Sequence, residues 1–268
     1  MIVDLKTGKR QTFLAHLCEQ TGRYDDMVTY VNEVAKAGGE LSFEEQRLLS
    51  TAHRNVVSSR RASLRIISSI KESEPSCEKH VTAIREYRHK ILNELEKFCE
   101  DLLAVLDERL IPNAIAGMSK IFYYKMKGDY SRYIAEFGSG EQRDTAIASA
   151  QDAYKTATDV AQVELDATHP LRLAVALNFS VFYYEIQNSP NRACHLAQQA
   201  IDDAIAELCS LSEESFHDST LVMQLLCDNL TIWTSSDTDE LETRPAAPEM
   251  AEEAYVEAPE FVTRGKCD

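Results

Sequence analysis

The segment EKHVTAIREYRHKILNELEKFCEDLLAVLDERL, which runs from Glu78 to Leu110, decides the fold class of this chain. Its apolar residues recur at intervals of three, four and seven, a spacing that places side chains on one face of an α-helix. They are Ile84, Ile91, Leu95, Phe98, Leu102 and Leu106. A helix this long needs other helices to cover its apolar face, so the segment predicts an all-α bundle.

Capping signals upstream of this segment define a second long helix. Ser42 and Glu45 have the S-x-x-E spacing of a capping box, in which each side chain accepts a hydrogen bond from a backbone N–H at the helix start. The periodic stretch that follows runs to about Ser73, and Pro75 ends it. The helix that begins at Glu78 is expected to run to about Leu110, and Pro112 and Gly117 end the connection that follows it.

The remaining helices are marked by prolines and by short polar turns. Residues 118–137 resume the helical pattern, and Pro170 and Pro190 each lie where a first helical turn tolerates a missing N–H. The last helix is predicted over about 215–233. Residues 1–234 are therefore predicted to form a bundle of nine antiparallel helices.

The composition of the chain excludes several classes of protein. A formal charge of −16 over 268 residues disfavours nucleic acid as a partner, since nucleic acid binds basic surfaces. Seven cysteines without a C-x-x-C pair indicate reduced thiols, and seven histidines show no metal-binding spacing. The chain begins without the apolar core of a signal peptide and has no run long enough to span a membrane. A cytoplasmic protein that can also enter the nucleus, with no membrane partner, is expected.

The composition changes at the carboxyl end. Residues 235–268 contain ten acidic residues against three basic ones, together with three prolines and little apolar content. Such a segment cannot bury enough apolar surface to fold by itself. A helical domain over 1–234 followed by a disordered acidic tail over 235–268 is therefore predicted, and Cys267 lies too close to the end to form a C-a-a-X lipidation box.

Two helix faces collect side chains that suit a phosphate group. At 100° per residue, Arg54, Arg61 and Arg65 fall within a stripe about 40° wide. A charged stripe is more often a solvated helix face, and that interpretation applies to these arginines when they are taken alone.

The second face strengthens the phosphate hypothesis. Lys125, Asp129 and Arg132 share one face of the predicted helix over 118–137, with Tyr133 beside it. Arginine offers a planar fork of donors that matches phosphate oxygens, and a tyrosine hydroxyl adds another donor. The two faces together therefore predict phosphate recognition.

Several motifs in a fixed order make the chain resemble the eukaryotic 14-3-3 family over about residues 10–235. They are RYDDMVTYVNEV, NVVSSRRAS, FYYKMKGDYSRYIAEF, THPLRLAVALNFSVFYYEI, LSEESFHDSTLVMQLL and DNLTIWTSS. The resemblance implies a cup-shaped protomer of nine helices that dimerises and binds phosphoserine or phosphothreonine peptides in an amphipathic groove. It also implies an adaptor, not an enzyme, with no cofactor and no metal.

The resemblance assigns roles to particular residues. The implied phosphate-binding residues are Arg54, Arg61, Arg132 and Tyr133, with Lys125 nearby and with Asp129 and Arg65 in support. The implied groove residues are Asn178 and Asn229 for the peptide main chain, Glu185 and Trp233 at the flanks, and Leu177, Val181, Leu221, Val222 and Leu225 on the apolar wall. Phosphorylated client proteins are the expected partners.

The resemblance further implies a homodimer, or a heterodimer with a paralogue. The corresponding interface residues are Leu17, Arg23, Asp26, Ser63, Tyr87, Lys90 and Glu94. Ser63 follows Arg60 and Arg61 as in a basophilic kinase site, although a plain structural serine is an equally good interpretation of the same residues. If Ser63 is phosphorylated, the added charge is expected to separate the subunits.

Four positions depart from the family pattern near the implied groove. Arg54 replaces a lysine, Leu64 a tryptophan, Ser131 a bulky aromatic residue and Cys227 an arginine. The first helix is also basic where the family is acidic, which predicts a somewhat weaker dimer.

Two other functions fit parts of the sequence. A helical-repeat scaffold that binds unphosphorylated partners is compatible with the segment PNRACHLAQQAIDDAI, although no fixed repeat period recurs. A phosphate-handling enzyme is compatible with the arginines, but the chain lacks a C-x5-R motif, a cluster of metal-binding carboxylates and a glycine-rich phosphate loop.

Overall fold

A computed structural model describes residues 2–73, 78–207 and 213–235, and within these residues the chain forms nine helices and no strand. The helices are α1 (Ile2–Gln20), α2 (Tyr24–Lys36), α3 (Phe43–Ser73), α4 (Glu78–Val105), α5 (Gly117–Phe137), α6 (Gly140–Glu164), α7 (Pro170–Val181), α8 (Pro190–Glu207) and α9 (Glu213–Ser235). The all-α prediction is confirmed. Apart from Ser235, the predicted acidic tail lies outside the described residues.

The capping box at the start of α3 forms as predicted. The backbone N–H of Ser42 donates to Oε2 of Glu45 at 2.9 Å, and the N–H of Glu45 donates to Oγ of Ser42 at 3.3 Å. These two bonds satisfy donors that a helix start would otherwise leave unpaired. They fix the beginning of the helix that carries Arg54, Arg61 and Arg65.

The helix predicted over about 78–110 extends three residues further, to Asn113. Helix α4 continues through a π-helical turn, Leu106–Leu110, and then through a short helical turn, Ile111–Asn113, that includes Pro112. The N–H of Ile111 bonds to the carbonyl of Leu106, five residues earlier. In this π-helical turn the backbone bonds reach five residues back instead of four. Pro112 follows this change of register, and its missing N–H does not end the helix there.

The start of helix α7 is fixed by His169 and Pro170. The N–H of Leu171 donates to Nδ1 of His169 at 3.1 Å, and Pro170 occupies the first helical position. The helix ends in a second π-helical turn, Phe182–Ile186. The last helix, α9, is two residues longer at each end than the predicted 215–233, which is within the ordinary fraying of helix ends.

Backbone contacts divide the chain into two compact units, Met1–Ala153 and Tyr154–Asp268. In the first unit, helices α1 to α5 pack around a core of leucines and the thiol of Cys99, which is fully buried. The fully buried leucines of this core are Leu48, Leu49, Leu64, Leu95, Leu102 and Leu106. Of the residues that predicted the apolar face of α4, only Ile84 and Phe98 remain half-buried.

The core of the second unit is built from aromatic side chains. The rings of Tyr154 and Phe179 stack at 5.4 Å between centroids, and those of Phe179 and Tyr183 at 4.6 Å. Phe182 lies against both Tyr154 and Phe179. Such ring pairs hold α6 and α7 together, because aromatic side chains bury large areas in defined geometries. Among the described residues, no helix is long and apolar enough to cross a membrane.

Candidate functional site

The ring of Tyr133 on α5 lies between two arginines from different helices. The guanidinium carbon of Arg61, on α3, is 4.3 Å from the centroid of this ring, and that of Arg132 is 4.7 Å from it. Both distances are within the range of a cation–π contact. Two of the arginines that sequence spacing put on separate helix faces therefore meet at one aromatic ring.

Glu136, which the sequence analysis missed, holds the arginines of α3 in place. Its Oε2 atom accepts hydrogen bonds from Nε and Nη2 of Arg61 at 2.9 and 2.8 Å. Its Oε1 atom accepts from Nη2 of Arg65 at 3.1 Å. Glu136 lies four residues after Arg132, so one more turn of the same helix face reaches it. We call Arg61, Arg65, Arg132, Tyr133 and Glu136 the arginine cluster.

The central cation of the cluster is buried. Arg61 is 5% exposed, and Arg132 and Tyr133 are buried as well. Burial acts against the charged form of Arg61, but its contacts with Tyr133 and Glu136 outweigh this effect and raise its pKa above the usual value. The cluster thus keeps a permanent positive charge in a place that water hardly reaches.

Lys125 and Asp129 form a second buried ion pair on α5. Nζ of Lys125 donates to Oδ2 of Asp129 at 2.7 Å, and both residues are buried. Lys125 lies two turns and Asp129 one turn before Arg132 on the same helix. Arg54 is half-buried on α3, two turns before Arg61. All the residues predicted to bind or support a phosphate therefore lie in the first unit, on α3 and α5.

The residues predicted to hold a peptide main chain lie in the second unit. Asn178 on α7 and Asn229 on α9 are both buried. Within the described part of the chain, Oδ1 of Asn229 is buried without a hydrogen-bond partner. An unsatisfied buried amide oxygen is costly, so it indicates a group that a ligand or an ordered water satisfies.

The other predicted groove residues differ in exposure. Trp233 is buried and stacks on Tyr184 at 4.7 Å between ring centroids, and Glu185 is half-buried in the π-helical turn. Leu221 is 43% exposed. The buried members of the predicted apolar wall are Leu177, Val181, Val222 and Leu225. Leu221 is therefore the wall residue that is open to solvent.

Three departures from the family pattern have structural accounts. Leu64 is fully buried in the core of the first unit. Oγ of Ser131 lies 3.1 Å from Oγ of Ser149, a hydrogen bond that joins α5 to α6 where the family has a large ring. Cys227 is exposed on α9 with a free thiol.

The predicted interface residues lie on the surface of the first unit. Leu17 and Tyr87 are exposed, and so are their apolar neighbours Phe13 and Ile66. Ser63 is half-buried, and its hydroxyl donates to the carbonyl of Ser59. Large apolar side chains are therefore exposed on α1, α3 and α4 of the first unit.

Three of the four charged residues of the predicted interface lie near an opposite charge within their own chain. Arg23 pairs with Asp26, three residues later. Glu94 lies 3.8 Å from Nε of Arg60, and Lys90 is exposed. Across the described residues, no group of three or more histidine, cysteine, aspartate or glutamate side chains is arranged to hold a metal ion.

The fold and the cluster define a class of protein: an all-α chain with buried arginines gathered around one tyrosine. Comparison with protein families gives the same class a name. The model of the family described as "14-3-3 protein" matches residues 14–234. This chain belongs to the 14-3-3 family, whose members are adaptors and not enzymes.

Individual relatives match along most of their length. Protein BMH2 of Saccharomyces cerevisiae is 60% identical over 233 residues, which are 86% of this chain and 85% of that protein. The 14-3-3 protein homolog of Candida albicans is 55% identical over 258 residues, 96% of each chain. The 14-3-3-like protein C of Nicotiana tabacum is 57% identical over 244 residues, covering 90% of this chain and 94% of that one.

Proposed function

We propose that this protein binds client proteins at phosphorylated serine or threonine and thereby controls their activity, location or assembly. The arginine cluster of the first unit would hold the phosphate. The amides and apolar side chains of the second unit would hold the peptide, in the amphipathic groove that the family resemblance implies. The expected setting is the cytoplasm, and also the nucleus.

The observation that carries the proposal is the pair of buried guanidinium groups on the ring of Tyr133. Burying two like charges near each other is unfavourable unless an anion balances them. Glu136 supplies one negative charge, and Asp129 balances the nearby Lys125. A phosphate dianion would add charge-assisted bonds to the guanidinium groups, and such bonds are strong where water is scarce.

A second observation supports recognition of the peptide itself. The buried Oδ1 of Asn229, unpartnered among the described residues, suits a peptide N–H. A main-chain contact of this kind does not depend on the client's side chains. It would let one protein accept many phosphorylated sequences.

A binding titration tests the proposal. A fluorescent peptide with the pattern Arg-x-x-pSer-x-Pro should bind, and its unphosphorylated twin should bind at least about 100-fold more weakly, since each charge-assisted contact contributes roughly 1.5–3 kcal/mol. Arg61→Glu or Arg132→Glu should abolish binding while circular dichroism stays helical. The matched control is Arg109→Glu, at an exposed arginine of the π-helical turn. Equal affinity of the wild type for both peptides would falsify the proposal.

We also propose that the chain forms a homodimer, or a heterodimer with a paralogue, through the exposed apolar residues of α1, α3 and α4. Their exposure supports this assignment. Phosphorylation of Ser63, on the same surface, would favour the monomer because a phosphate dianion resists burial in an interface.

A further inference from the structure

Glu136 places a negative charge inside a cluster that is otherwise built to attract one. Its two carboxylate oxygens accept three hydrogen bonds, two from Arg61 and one from Arg65. The side chain of Glu136 is 17% exposed and that of Arg61 is 6% exposed. The carboxylate thus sits in the same sheltered place as the arginines, where charges are weakly screened.

Glu136 and Tyr133 contact Arg61 from two different directions. Glu136 takes Nε and Nη2, along one edge of the guanidinium plane, and the ring of Tyr133 covers one face. A ligand oxygen that reaches the arginine cluster from any other side meets the carboxylate still in place. Glu136 then acts on the ligand through its charge, without having to leave.

We propose that Glu136 is a built-in counter-anion that weakens phosphate binding and stabilises the empty site. This inference rests on the proposed function. Without Glu136, Arg61 would lose two hydrogen bonds and Arg65 one, and a buried cation such as Arg61 that loses a carboxylate partner destabilises the fold. With Glu136 present, every anion that enters is repelled by a fixed negative charge a few ångströms away.

The alternative is that Glu136 mainly orients the side chain of Arg61, so that removing Glu136 would weaken phosphate binding. One contact and the chemistry of glutamine argue against this. Arg61 also rests on the ring of Tyr133, and that contact does not involve Glu136. Glutamine at position 136 would keep an oxygen that accepts from Nε or Nη2, so the aim of Arg61 survives while the charge is removed.

The test compares Glu136→Gln with wild type in a phosphopeptide titration at pH 7.5. The variant should bind the phosphoserine peptide about tenfold more tightly, and the empty variant should melt at a lower temperature. Because electrostatic repulsion scales with ligand charge, a peptide whose phosphate is a monoanionic methyl ester should gain only about threefold. A role of Glu136 in orienting Arg61 would not produce this dependence on ligand charge.

Two further variants complete the experiment. Glu141→Gln removes the same charge at an exposed position on α6 and should leave the affinity unchanged. Glu136→Asp draws the carboxylate back by one methylene and should tighten binding in the same direction by a smaller factor. It carries the test if Glu136→Gln fails to fold.

The outcomes separate the two proposals. If wild type binds the phosphopeptide no better than its unphosphorylated twin, the proposed function fails. If wild type binds selectively but the Glu136 variants bind equally or more weakly, only this inference is overturned. Equal gains for the dianionic and monoanionic peptides would also overturn it.

Discussion

Arg61 combines structural contacts with the phosphate-binding role that we propose for it. It is buried, it stacks on Tyr133 and it donates twice to Glu136. Arginine suits this position because its charge is permanent and its planar fork can serve a carboxylate along one edge and a phosphate along another. Lysine, with a single nitrogen, could not keep both contacts.

His53 is a buried titratable residue that the binding proposal does not use. It is fully enclosed near Phe98 and Tyr130, and its Nδ1 lies 2.9 Å from the carbonyl of Leu49, to which it donates. Burial lowers the pKa of His53 from 6.5 to about 4. The unfolded chain therefore binds the proton more readily than the folded chain.

The contribution of His53 to stability is complete above pH 6.5 and is lost as the pH falls towards 4. Urea unfolding should show a loss of about 2 kcal/mol between pH 7.5 and pH 5 from this residue. His53→Gln should remove that part of the pH dependence, and His195→Gln, at an exposed position, should not. Identical pH profiles for wild type and His53→Gln would contradict the assignment. The comparison is needed because burial also lowers the pKa of His169.

Among single residues of the arginine cluster, the sequence predicted the arginines but not the glutamate. Helical spacing on two segments placed Arg61 and Arg132 on faces that the structure brings to one ring. Glu136 was missed because a glutamate near the end of a helix is usually solvated, and nothing local shows that it turns towards a neighbouring helix. Its spacing from Arg132 was the available signal.

Helix α3 gives the kinase-like string Arg60–Ser63 a structural meaning. Nη2 of Arg60 pairs with Asp25 at 2.9 Å, and Arg61 is buried against Glu136. A basophilic kinase must bind both arginine side chains, yet the folded chain already uses them in ion pairs. The motif is therefore masked by the fold that contains it.

Phosphorylation of Ser63 should consequently require opening of α3. A basophilic kinase should modify a synthetic peptide covering residues 57–67 at least about tenfold faster than the folded protein. Leu95→Ala, which leaves a cavity on α4 in the core that α3 also packs against, should raise the rate on the protein because core truncations of this kind cost about 2–5 kcal/mol. A peptide with Ser63→Ala controls for other sites. Equal rates on peptide and folded wild type would show that the string is accessible.

The helix boundaries were predictable where a local signal exists. The capping box of Ser42 and Glu45 and the proline at position 170 act through backbone groups a few residues away, and both formed. The π-helical turn before Pro112 was not predictable in this way. Whether a helix continues through a proline or ends before it depends on packing. The continuation of α4 is stabilised by the burial of Leu106 and Leu110.

For the whole molecule, the exposed apolar side chains of the first unit should contribute more to association of two chains than the charged side chains around them. Phe13 is 62% exposed and Tyr87 is 58% exposed, whereas Arg23 already has a partner in Asp26. Association should therefore depend on apolar burial more than on ion pairs between exposed side chains, which contribute little.

Sedimentation velocity at micromolar concentration should find a dimer. Leu17→Glu or Tyr87→Glu should shift it to monomer, because each places a charge in a surface that must lose water. Ser63→Glu should act in the same direction. Ile205→Glu, at an equally exposed apolar residue of the second unit, should have no effect. A wild-type protein that is monomeric throughout would refute the dimer proposal.

The thiol of Cys99 has a practical consequence. Burial raises its pKa, and nearby Arg61 only partly offsets this, so the sulfur stays protonated and unreactive while the core of the first unit is closed. Alkylation of Cys99, followed by peptide mass mapping, therefore measures how often that core opens. Exposed Cys227 reacts at once and marks time zero. An anion that binds the arginine cluster only while the core is closed would slow this alkylation, and the slowing would increase with occupancy.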